Sequence, residues 1–82
     1  MMVHAYVLIT IQSGSEKGVL EKISSFKETL EVDMVYGEYD AIVKLQVEEL
    51  SDLEEFLSEK LRALPNIFLT TTMIVAKRYK EE

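Results

Sequence analysis

The stretch Val32-Asp33-Met34-Val35-Tyr36-Gly37-Glu38-Tyr39-Asp40-Ala41-Ile42-Val43-Lys44-Leu45-Gln46-Val47 decides the fold. Val32, Met34 and Tyr36 alternate with Asp33 and Val35, and Tyr39, Ala41, Val43, Leu45 and Val47 alternate with Asp40, Ile42, Lys44 and Gln46. An apolar period of two marks a strand with one buried face. Gly37-Glu38 separates the two runs. Glycine at the first central position is what a two-residue type II′ hairpin turn requires, because that residue takes positive φ. The reading is therefore a β-hairpin turning at Gly37-Glu38.

Upstream, Val3, Ala5, Val7, Ile9 and Ile11 alternate with His4, Tyr6, Leu8, Thr10 and Gln12, a strand whose second face is only half polar. After Ser13-Gly14-Ser15 the period changes, and Val19, Leu20, Ile23, Phe26 and Leu30 at helical spacing predict a helix over about 15–29. Ser13 with Glu16, or Ser15 alone, can cap it. Gly18 in its first turns costs about 1 kcal/mol relative to alanine and is expected to mark close packing against the sheet. Downstream, Ser51 and Glu54 have capping-box spacing, and Leu53, Phe56, Leu57, Leu61 and Leu64 form one apolar stripe before Pro65-Asn66, which predicts a helix over about 51–63. Ile67 to Lys77 is apolar and threonine-rich, which suits a strand. Lys80-Glu81-Glu82 is expected to fray.

The order is strand, helix, strand, strand, helix, strand, in one domain over residues 1–82. Short connections favour two right-handed βαβ units interleaved in a four-stranded antiparallel sheet with both helices on one face, the ferredoxin-like α+β fold. The other face carries Tyr6, Leu8, Ile42 and one register of the last strand. Such a face is too apolar for water and is expected to meet a second sheet, giving a symmetric dimer with barrel-like sheet packing.

Composition agrees. A chain of 82 residues buries only about 60–65% of its unfolded surface and is marginal alone. Its 48% hydrophobic content places apolar area outside the protomer core. There is no cysteine, which excludes a disulfide framework, a thiolate zinc site and a thiol nucleophile. The formal net charge of −6 repels a phosphate backbone and argues against direct nucleic-acid binding. The run Ala5 to Ile11 is far below the roughly 20 residues that span a bilayer, and no Lys or Arg precedes it as in a signal peptide. The expectation is a cytoplasmic protein.

Few residues are placed for chemistry. His4 is the one histidine, and no carboxylate stands at a metal-site spacing from it, so it reads as a sheet-face residue. Glu48-Glu49, Glu54-Glu55 and Glu81-Glu82 read as solvated pairs, since acid-base catalysis needs a carboxyl with a shifted pKa. Gly14, Gly18 and Gly37 are isolated and form no phosphate-binding loop. No catalytic residue, metal or cofactor is expected. Two features remain. Gly37-Glu38-Tyr39-Asp40 brings a ring and a carboxylate to the rim of the sheet, where they could hold an ammonium or be a plain hairpin with a solvated aspartate. In Thr70-Thr71-Thr72, residues 70 and 72 share one face and 71 takes the other, and these hydroxyls serve either a ligand or simple β-propensity.

These pieces resemble the ligand-binding and oligomerisation domain of the Lrp/AsnC (feast/famine) transcription regulators, also called the RAM domain. The resemblance covers nearly the whole chain. It rests on Ala5-Tyr6-Val7-Leu8-Ile9, on Gly37-Glu38-Tyr39-Asp40 leading into Ala41-Ile42-Val43-Lys44-Leu45, on Leu64-Pro65-Asn66-Ile67, and on Thr70-Thr71-Thr72-Met73-Ile74-Val75. It implies ferredoxin-like protomers that dimerise sheet to sheet, dimers that assemble into rings, commonly octamers, and an amino acid or similar small effector in clefts between dimers. It implies that Gly37, Glu38, Tyr39 and Asp40 of the turn, with Thr70 and Thr72, line that cleft, Thr71 facing the other way. In those regulators a helix-turn-helix domain precedes this module, whereas here Met1 stands directly ahead of the first strand. The expectation is a stand-alone form without DNA binding of its own, which senses an amino acid or co-assembles with full-length regulators. Two alternatives stay open: a small monooxygenase-type enzyme with a pocket between helices and sheet, and a purely structural assembly partner.

Overall fold

The computed structural model describes residues 2–80. The chain forms β1 (Val3–Ile11), α1 (Glu16–Ser24), β2 (Thr29–Met34), β3 (Ala41–Val47), α2 (Leu50–Glu55) and β4 (Ile67–Ile74), with α2 continued by a π-helical segment over Phe56–Leu61. One antiparallel sheet has the order β2-β3-β1-β4, the ferredoxin-like arrangement. The two central strands are those whose alternation is cleanest. Ala5, Val7, Ile9 and Ile11 of β1 and Ala41, Val43, Leu45 and Val47 of β3 are all buried on one face. Val19 and Ile23 of α1, Leu53 of α2 and Phe56 and Leu61 beyond it close over that face. Burying each large aliphatic or aromatic side chain contributes about 1.5–3 kcal/mol, so this layer holds the helices to the sheet. Phe26 and Phe56 meet edge to face with ring centroids 5.6 Å apart.

Four local expectations are corrected. The first helix ends at Ser24, and Leu30, assigned by spacing to its stripe, lies half-exposed in β2. Ser24 and Ser25 donate from their hydroxyls to the carbonyls of Glu21 and Lys22 at 2.8 and 2.6 Å, and Thr29 donates to the carbonyl of Ile23 at 2.9 Å. These side chains compete for helix carbonyls and turn the chain toward β2. At the other end of the helix the Glu16 carboxylate accepts from the Gly14 N–H at 2.9 Å. Gly18 packs against nothing, because open space surrounds the position of a Cβ there.

The hairpin is present, but its turn is longer than two residues. β2 and β3 pair as far as Met34 and Ala41, and the Val35 N–H donates to the Asp40 carbonyl at 2.9 Å, closing a turn over residues 36–39. Gly37 takes positive φ, +149°, within it. Asp40 sets this length, since its N–H is held by the Ile9 carbonyl of β1 at 2.8 Å and it cannot join a tighter turn. The cap of α2 lies on Glu49 and Asp52, not on Ser51 and Glu54: the Glu49 N–H donates to the Asp52 carboxylate at 3.1 Å. Beyond α2, the Arg62 N–H reaches the Leu57 carbonyl at 3.0 Å, a five-residue step. That extra residue per turn keeps both Phe56 and Leu61 buried. Asn66 ends the connection to β4 at a φ of +71°, which asparagine tolerates, and its carbonyl accepts from Gln12 at 2.8 Å.

Candidate functional site

Strand register decides what each candidate residue touches, because side chains paired across strands share a face. Leu8 pairs with Ile42 on one side and Thr71 on the other; Tyr6 pairs with Lys44 and Met73, and Thr10 with Leu69. These residues form the outer sheet face, away from the helices. Its β4 register is thus Leu69, Thr71 and Met73. Toward β2 the face becomes charged, with Glu31 opposite Lys44 and Asp33 opposite Ile42. Toward β4 it is apolar, and Leu69 and Met73 keep 55% and 48% of their surface exposed.

The turn and the last strand meet across this face. The Tyr39 hydroxyl lies 3.2 Å from that of Thr71, so the ring reaches from the β2–β3 turn over the central strands to the edge strand. Thr70 and Thr72 lie elsewhere. They pair with Ile9 and Val7 and so occupy the helix side of β4, partly exposed at the edge of the core. The threonine alternation expected from sequence is present, and the partner of Tyr39 is the middle threonine. No local pattern carries that signal: it depends on the β1–β4 register, which places Thr71 against Leu8.

Asp40 is engaged within its own chain. Its Oδ2 accepts from the Ile11 N–H at 2.7 Å, a charge-assisted bond linking the turn to the end of β1. Glu38 and Gly37 stand exposed at the tip beside Tyr36, whose side chain is fully exposed. The turn thus offers solvent a glycine, a carboxylate and a free ring on a base that Asp40 pins to β1.

The space between helices and sheet is filled. Val7, Ile9, Ile23, Val43, Leu45, Leu53, Phe56 and Leu61 are fully buried there, leaving no room for the interior pocket that a monooxygenase reading requires. His4 lies outside that space, paired with Gln46 on the outer face, and among the described residues its buried Nδ1 finds no hydrogen-bond partner. Among the described residues no group of three or more His, Cys, Asp or Glu side chains is arranged to hold a metal. No helix among them is long and apolar enough to cross a membrane.

The surface also carries hollows. One of about 430 Å³ is lined by Lys27, Glu28, Gln46, Glu48, Asp52 and Glu55 among others. Beside it Lys60 bonds both carboxylate oxygens of Glu28 at 3.0 and 2.9 Å. Partial burial pushes the Glu28 carboxyl up, but the Lys60 hydrogen bond, a backbone hydrogen bond and the charges of Lys60 and Lys27 outweigh it, so the net shift is downward. A smaller hollow of about 210 Å³ at the β4 edge is lined by Arg62, Leu64, Ile67, Phe68, Leu69 and Thr70.

The sequence profile of the Lrp/AsnC ligand binding domain matches residues 4–82. The HTH-type transcriptional regulator FL11 of Pyrococcus horikoshii is 31% identical over 94% of this chain and 50% of its own. The chain thus spans about half the length of the curated relatives it matches, which are transcription regulators and not enzymes. A crystal structure of the hypothetical protein PHS023 from Pyrococcus horikoshii superposes with a TM-score of 0.87 at 42% identity, covering 94% of this chain and 93% of that one. A crystal structure of the transcriptional regulator NMB0573 from Neisseria meningitidis, described as an L-Met complex, shares the fold with a TM-score of 0.89 at 15% identity, over 96% of this chain and 53% of that one.

Proposed function

The chain belongs to the Lrp/AsnC ligand-binding domain family, and from that membership we propose that it is a small-effector binding and assembly module serving transcription regulation, with an amino acid or close relative as effector. The observation that carries the reading is the outer sheet face. Tyr6, Leu8, Ile42, Leu69 and Met73 lie on it without cover from any helix, and the Tyr39–Thr71 contact braces the turn against it. A second copy packed sheet to sheet would remove this apolar area from water. The charged β2 margin offsets that contact toward β1 and β4.

Dimers of this kind would assemble into a ring, with an octamer as the expected size. The turn residues Gly37, Glu38, Tyr39 and Asp40, with Thr70 and Thr72 at the edge strand, would then line the seams between dimers. An effector in a seam shifts the assembly equilibrium only by its differential affinity for the two states. The fold neighbour described as an L-Met complex supports an amino acid as the chemical class. The net charge of −6 supports contact with DNA through full-length regulators and not through this module. A cytoplasmic location accords with that role.

Native mass spectrometry with and without an amino-acid mixture tests both parts. The expected result is a ring of dimers carrying bound amino-acid mass. An effector at 100 times its dissociation constant also adds about 2.7 kcal/mol of stability per site, readable as a rise in melting temperature. Monomers in dilute solution would overturn the assembly reading. Rings that bind no amino acid, and whose melting no metabolite shifts, would favour a purely structural partner, the reading to which the Asp40–Ile11 bond lends support.

A further inference from the structure

Register separates Thr70 from Tyr39 and sets it at a hollow that a cation also lines. Thr70 lies on the helix side of β4, and Arg62, just past the π-helical segment, lines the same hollow. The other lining residues are Leu64, Ile67, Phe68 and Leu69, and no acidic side chain is among them. Among the described residues Arg62 has no ion-pair partner and the Thr70 hydroxyl makes no side-chain hydrogen bond. Phe68, at 72% exposure, is an aromatic ring held in water by the bulge between β1 and β4. β4 is an edge strand, so part of its backbone N–H row also points away from β1.

From this set of groups we infer that the hollow takes the carboxylate end of a small monocarboxylic acid with an apolar tail, and that it makes no demand for an ammonium group. A guanidinium matches a carboxylate with two parallel N–H donors, the Thr70 hydroxyl adds a third, and the leucine, isoleucine and phenylalanine walls accept a short hydrocarbon chain. Without an acid in the lining, no side-chain charge there pairs an amine. A volume of about 210 Å³ is below the roughly 300–1,000 Å³ of sites for drug-sized ligands, which limits the occupant to a few heavy atoms. This inference rests on the reading of the chain as a small-effector module and narrows its ligand to a carboxylate, so that an amino acid and a plain carboxylic acid with the same tail bind alike.

The test is an amide-resolved NMR titration of the full chain with isovalerate, L-leucine and isoamylamine, which carry the same branched tail with a carboxylate, with both groups and with an amine alone. Isovalerate and leucine are expected to shift the Phe68, Leu69 and Thr70 amides saturably, and isoamylamine is not. Arg62→Gln is expected to weaken both acids roughly tenfold or more, Arg62→Lys to restore part of the loss, and Lys17→Gln on α1 to change nothing. An arginine at a helix end also offsets the helix dipole. For that reason the readout is affinity in the folded variants and not stability. Isovalerate binding that ignores Arg62→Gln, or isoamylamine binding as well as isovalerate, overturns the inference. Leucine binding that depends on Tyr39 and ignores Arg62 overturns it while leaving the effector reading intact. Failure of isovalerate and of every standard amino acid to bind overturns both.

Discussion

Asp40 holds more of this molecule than its place in a turn suggests. Its N–H, carbonyl and carboxylate bond to Ile9, Val35 and Ile11 respectively, which ties the turn to β1 and closes the hairpin. Asp40→Ala leaves the buried Ile11 N–H without its acceptor, and chemical denaturation should report a loss of about 1–3 kcal/mol. Asp40→Asn keeps an acceptor there and should cost about 1 kcal/mol or less. Gly37 is a separate matter of backbone conformation. At φ +149° with no atom near a Cβ, Gly37→Ala meets no clash but is strained, at a cost of order 1–3 kcal/mol in the same measurement. In sequence, Gly37 was legible as a positive-φ residue, whereas the engagement of Asp40 with β1 was not, because Ile11 lies 29 residues before it in the chain.

At the scale of elements, the connection between α1 and β2 is pinned to the segment after α2. Lys60 reaches Glu28, and the ammonium groups of Lys22 and Lys60 lie 5.7 and 5.5 Å from the centre of the Phe26 ring. The Glu28 carboxyl is held below its ordinary value of 4.5 in the folded chain. A carboxyl with a lowered folded pKa contributes stability that is fully present above the unfolded value and is lost as pH falls through the folded one. Wild type should therefore exceed Glu28→Gln in stability by a constant margin near neutral pH, and the margin should shrink below about pH 4.5. Thermal melts of both proteins across pH 3 to 7, a range of about four units spanning that value, would check this. A margin that does not change with pH would show that the pair contributes by packing alone. The stripe of the second helix was legible as Leu53, Phe56 and Leu61, but its π-helical step was not, since spacing in sequence does not reveal which carbonyl an N–H chooses. The first helix is shorter than its apolar spacing for a related reason. Leu30 continues the helical spacing, yet the hydroxyls of Ser24, Ser25 and Thr29 take up the carbonyls that another turn would need.

For the whole molecule, the face that matters is the one the helices leave open. Leu8 and Met73 lie on it while contributing nothing to the buried layer opposite. Leu8→Glu with Met73→Glu should leave the circular dichroism spectrum unchanged and move the sedimentation coefficient from that of an oligomer to that of a protomer. An unchanged sedimentation coefficient would place the contact between copies elsewhere. Alternation alone determined β1 and β3, the buried face of the sheet and the ferredoxin-like order, because a strand with one covered face writes its period directly into the chain. The family was equally legible, through the turn and the threonine strand taken together. What tertiary structure alone decided is which side each partner stands on. Register between β1 and β4 sends Thr71 to Tyr39 and Thr70 to the hollow that Arg62 also lines, and a register is a relation between distant segments, shifted by a single bulged residue that no local pattern announces.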